Sequence, residues 1–228
     1  MRSGRYRPES ATPRNLPLRC GHTIHPSRRG SGGRPPDRPR AAEHEVSMES
    51  VTYVHLAGIG NSGPGHWQYR WHAADPRAVW VEHDSWDDPE RDAWVADLDA
   101  ALRRTPGPKL VVAHSLGCST LVEWAADHAD PDVVGALLVA APDPHGPAFP
   151  AGATGYHRPR PAPLPFRTLV VASADDPYAT LDHARATAAA LGAELVEAGR
   201  LGHINAASGL GDWPDGRRLL GRLLPSSG

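Results

Sequence analysis

Beyond residue 50 the chain alternates short, continuously apolar runs with longer stretches whose apolar positions recur every three or four residues. The runs are VTYVHLA (51–57), AVWVEH (78–83), KLVVAH (109–114), VVGALLVAA (133–141), RTLVVAS (167–173) and AELVEA (193–198). Apolar at consecutive positions and rich in β-branched residues, they suit strands covered on both faces, as in a parallel sheet. Between them, DPERDAWVADLDAALRR predicts a helix with Asp88 as N-cap, Pro89 at the first helical position, and Trp94, Leu98, Ala101 and Leu102 along one face. Arg103 and Arg104 fall in its last turn, where the helix dipole favours cations. Residues 116–129, 181–191 and 215–224 predict three more helices, the one over 181–191 stopping at Gly192. The alternation predicts an α/β fold: a mostly parallel sheet of about six strands, helices on both faces, right-handed crossovers, and a ligand site at the carboxyl ends of the strands.

Residues 142–166 break this rhythm. Eight prolines in 25 positions, with no periodicity, predict an irregular excursion between two strands. Such excursions serve as lids and substrate walls or run passively over the surface, and the sequence leaves both open.

Charge divides the chain. Residues 1–47 carry ten arginines against four acidic residues, whereas residues 48–228 sum to −8. The first stretch is rich in Pro, Gly, Ser and Arg and has too little apolar area to offset the entropy of ordering, so a disordered leader is expected there and one folded domain over 48–228. An arginine-rich leader fits a transit peptide, an anionic surface or nucleic acid by charge, but its prolines forbid the amphipathic helix of a transit peptide. A solvated tail, or sequence upstream of a true start at Met48, fits better, because the apolar pattern begins directly after Met48. Cys20, His22 and His25 fall one short of a four-ligand zinc site. Cys20 and Cys118 lie far apart and form no disulfide framework, and no apolar stretch approaches a membrane span. The expectation is a soluble, cytoplasmic protein.

The candidate chemistry begins where KLVVAH runs directly into SLGCSTLVEWAAD. The junction A-H-S-L-G has the form of a nucleophile elbow, in which small residues flank a tight strand-to-helix turn that projects Ser115 into the open. Ala113 stands where glycine is usual. A hydroxyl needs a base, and the base needs a group to orient it. In chain order and at later strand ends, ADDPY offers Asp175 and Asp176, and GRLGH offers His203. Asp176 is preferred because Pro177 fixes the turn after it; Asp175 and Asp143 are rival acids. His114, beside Ser115, braces the elbow rather than acting as base, because adjacent side chains diverge.

HLAGIGNSGPGHW (55–67) follows the first run, and Gly58, Gly60 and Gly63 have the G-x-G-x-x-G spacing of a dinucleotide-binding loop. Asp84, 21 residues after Gly63, even supplies the ribose-binding acid. Against this, Pro64 and Gly65 break the helix that should begin within the glycines, and the elbow, Asp176 and His203 would have no role. The loop is therefore assigned to an oxyanion, held by the N–H of Leu116 together with that of Ile59 or Gly60.

GNSGPGHWQYRW, AHSLG, ASADDPY and GHINAASGLGDWPDG together resemble the small serine hydrolases grouped with YdeN and the retinoblastoma-binding-protein-nine homologues, compact members of the α/β-hydrolase superfamily. The resemblance covers 51–224 and implies a Ser115, Asp176, His203 triad with no metal or organic cofactor. Asn61, His66, Trp67 and Tyr178, which lie in these motifs, are the expected substrate-binding residues. Ala57, where the family tends to have proline, and Ile59, where bacterial relatives often have tryptophan, depart from its pattern. The expected activity is serine-dependent cleavage of a small ester, thioester or amide by a monomer or small homo-oligomer, with no nucleic acid or membrane partner. Rival classes are a non-catalytic binding or scaffold protein of the same shape and a dinucleotide-dependent oxidoreductase.

Overall fold

The computed structural model describes residues 50–224; the leader over 1–47, with Cys20, His22 and His25, lies outside the described residues. Six strands, β1 (Thr52–Leu56), β2 (Val79–Trp80), β3 (Lys109–His114), β4 (Val133–Val139), β5 (Arg167–Ala172) and β6 (Glu194–Glu197), form one parallel sheet in the order β2-β1-β3-β4-β5-β6. Five of the predicted runs become strands of nearly the expected extent. The exception, 78–83, pairs only through Val79 and Trp80, with Val81 N–H donating to His55 O at 2.9 Å. Further on, His83 is drawn off the sheet edge: its Nδ1 lies 2.8 Å from Asp97 Oδ2 and its ring stacks on Trp94.

The helices are α1 (Trp67–Ala73), α2 (Arg91–Arg104), α3 (Leu116–Asp127), α4 (Leu181–Leu191) and α5 (Pro214–Leu219). Within β3, Val111 and Ala113 pack toward α2, α3 and α4, while Leu110 and Val112 pack toward Trp67, Trp71 and Leu220 on the other face. The central strands are thus covered on both sides, which is why their sequences read as unbroken apolar runs. Trp94, Leu98, Ala101 and Leu102 are all buried, as the helical spacing predicts. Gly192, left-handed at φ 63°, ends α4 where expected.

The start of α2 differs from the prediction. Its N-cap is Glu90, whose carboxylate accepts from Asp92 N–H and Ala93 N–H, not Asp88. The reason is tertiary: Pro89 O accepts from Thr154 N–H and Arg91 N–H donates to Thr154 O, so Glu90 is held extended against the proline-rich excursion. At the C-terminus, the helix predicted over 215–224 is shorter and tightens into a 3₁₀ turn over Leu220–Arg222. Among the described residues no helix is long and apolar enough to cross a membrane.

Candidate active site

The β3–α3 turn places Ser115 at φ 53°, ψ −126°, a left-handed conformation that costs a non-glycine residue on the order of 1–3 kcal/mol. Close packing enforces it. A Cβ on Gly117 would come within 2.8 Å of Ala57 O and closer still to Leu56 O, and one on Gly58 would lie 2.8 Å from Ser115 Cβ. Glycine is therefore required after the serine, whereas the fully buried Ala113 is small enough before it. Ser115 occupies the N-cap position of α3, yet its hydroxyl makes no capping bond. It lies instead 2.9 Å from His203 Nε2.

His203 Nδ1 in turn faces both oxygens of Asp176, at 2.9 and 3.0 Å. The Asp176 carboxylate is 3 % exposed and also accepts from Tyr178 N–H at 2.9 Å, a turn set by Pro177 between them. The arrangement orients Nδ1–H toward the acid and leaves Nε2 to accept from the serine. The rival acids are engaged elsewhere. Asp143 Oδ1 accepts from His145 N–H and lies 3.6 Å from His183 Nδ1. Asp175 accepts from Ser173 Oγ at 2.8 Å and from Gly202 N–H at 2.9 Å, while Ser173 Oγ accepts from Leu201 N–H at 2.8 Å. This chain of bonds fastens the loop bearing the acid to the loop bearing the histidine.

Two more side chains hold the His203 loop. His114 Nε2–H donates to His203 O at 3.0 Å, so this histidine, expected to brace the elbow, ties the end of β3 to the His203 loop instead. Trp67 Nε1–H donates to Ile204 O at 2.7 Å. Ile204 is a buried β-branched residue at φ 46°, a strained conformation that these flanking bonds keep in place. Trp67 itself is 1 % exposed, packed against Trp71 and Trp213, and does not reach the cleft; its expected role in substrate binding is corrected to that of a structural anchor.

The cleft above Ser115 has a volume of about 420 Å³. Asn61, His66 and Tyr178 line it, joined by Pro142, Pro150 and Asn205, which the sequence did not single out. His66 also begins α1, a helix missed among the glycines: its Nδ1 accepts from Gln68 N–H, which leaves the proton on Nε2. Burial and the neighbouring His203 push the His66 pKa down to about 4, and burial beside two histidines lowers that of His114 well below the usual imidazole value. Both rings stay neutral near pH 7, so neither repels positive charge on His203.

Of the expected oxyanion donors, Gly60 N–H is already committed to Trp86 O at 3.0 Å. Ile59 and Leu116 remain, both at the cleft wall beside Ser115. The glycine loop does not lead into a helix as a dinucleotide site requires, because α1 starts only at Trp67, after Pro64 and Gly65.

The model of a family described as serine hydrolase matches residues 53–222. A solved YdeN-like hydrolase of Pectobacterium atrosepticum is 27% identical, with a TM-score of 0.68 over 78% of this chain and 94% of that one. The ydeN gene product of B. subtilis shares 20% identity and the fold, with a TM-score of 0.63 over 76% of this chain and 98% of that one. No curated protein matches the chain. With its six-stranded parallel sheet and the match across nearly all of the described residues, the chain is a hydrolase of α/β-hydrolase fold and belongs to the serine hydrolase family.

Proposed function

We propose that the protein cleaves a small acyl ester, thioester or amide through an acyl-enzyme on Ser115. As Ser115 Oγ attacks the carbonyl carbon, its proton passes to His203 Nε2, and Asp176 stabilises the imidazolium that forms. The carbonyl oxygen, now negative, accepts from the N–H groups of Leu116 and Ile59. Collapse of the intermediate expels the alcohol, thiol or amine, which takes the proton back from His203 Nε2–H. Water then gives a proton to the same nitrogen, attacks the acyl carbon, and releases the acid as Ser115 regains its hydrogen. The supporting observation is the unbroken chain of contacts, each 2.9 Å, from Ser115 Oγ through the His203 ring to Asp176.

A shared acyl-enzyme gives this reading a direct test. Aqueous hydroxylamine should divert the acyl group to a hydroxamate in a fixed ratio to the acid, the same for p-nitrophenyl, phenyl and thiophenyl esters of one acid. A ratio that varies with the leaving group would show that the leaving group is still bound when water attacks, and no acyl-enzyme would be needed.

A further inference from the structure

β4 passes to β5 without a crossover helix on the face that carries α2, α3 and α4. Residues 142–166 take that place and roof a cavity of about 150 Å³ between α3 and α4, walled by Cys118, Val122, Leu138, Ala141, Tyr156 and Leu191. The roof is fastened down. Tyr156 Oη bonds Thr120 Oγ1 at 2.8 Å, and the buried Glu123 carboxylate receives Arg91 Nη1 at 3.1 Å and Arg160 N–H at 3.3 Å. Arg160 also forks onto Asp127 through both Nη atoms, at 3.0 and 2.6 Å. The carboxylates around the cavity are therefore engaged, Asp143 by His145 N–H, and burial pushes the Cys118 thiol pKa up so that it stays neutral.

A mostly apolar space of roughly 150 Å³ is large enough to hold benzene. Two observations place it beside the catalytic cleft. Pro142 is a wall of both, and Cys118 lies three residues beyond Ser115 on α3, roughly 4.5 Å along the helix axis. We propose that this cavity is the acyl-tail subsite of the enzyme, taking an unbranched apolar chain whose last carbons pass Pro142 and settle between α3 and α4. The inference rests on Ser115 as the nucleophile and narrows the substrate class to medium-chain acyl compounds.

Turnover of p-nitrophenyl acetate, butanoate, hexanoate and octanoate by the full chain tests it. Each methylene taken into the cavity should raise kcat/KM about three- to fourfold, so octanoate should exceed acetate by at least about a hundredfold. Val122→Phe, entering the cavity from α3, should lower the octanoate-to-acetate ratio at least tenfold. Thr187→Leu, entering from α4, should lower it in the same direction and serves if the larger ring disturbs folding. A flat profile, or a ratio that neither substitution moves, overturns the subsite while acetate release continues. Loss of Ser115-dependent release from every ester overturns the hydrolytic reading on which the subsite depends.

Discussion

Replacing Ser115 with alanine is expected to lower ester turnover by roughly 10⁵- to 10⁶-fold, the scale reached when a serine triad loses its nucleophile. The far-ultraviolet circular dichroism spectrum should not change. Both halves of this expectation come from the same geometry. The Ser115 hydroxyl has the His203 ring as its partner and caps no helix, so its removal leaves no backbone donor of α3 newly unsatisfied. The strained φ of 53° is imposed by the turn and by Gly117, and alanine inherits it unchanged. Loss of activity accompanied by loss of helical signal would place Ser115 among the structural residues instead.

Asp176→Asn should lower kcat by about 10⁴-fold with little effect on KM. The substitution is nearly isosteric, and the remaining carbonyl oxygen still accepts from Tyr178 N–H. What changes is the proton. An amide NH₂ facing Nδ1 requires that nitrogen to accept, which moves the ring hydrogen to Nε2 and turns a donor toward Ser115, where an acceptor is needed. Substrate binding does not depend on that proton, so KM stays. A loss under about tenfold would mean that Asp176 only shapes the turn, leaving orientation of His203 to the backbone bonds at Ile204 and His203.

The strands were legible because burial on both faces leaves no polar alternation to confuse them, and Ser115, Asp176 and His203 could be found because each follows such a strand. Tertiary pairing was not legible. Glu90 displaced Asp88 as helix cap because Thr154, over sixty residues later, binds the backbone on either side of it. α1 escaped notice because Gly63, Pro64 and Gly65 dominate its approach, although Trp67 and Trp71, four residues apart, carried the helical signal. Trp67 sits in a motif beside cleft residues, yet its indole points the other way, to Ile204 O. Gly60 and Ile59 were indistinguishable as oxyanion donors until the Trp86 carbonyl took one of them. The bonds from Ser173 and Asp175 join two loops 27 and 28 residues apart, a relation that no local pattern expresses.

The most direct measurement of the central claim is the site of covalent capture. The full chain, treated with a fluorophosphonate and digested, should yield a single phosphonylated peptide with the adduct on Ser115 by fragment mass. An adduct on another residue, such as Ser119 or Ser173, with Ser115 unmodified and esterase activity lost, would contradict the account.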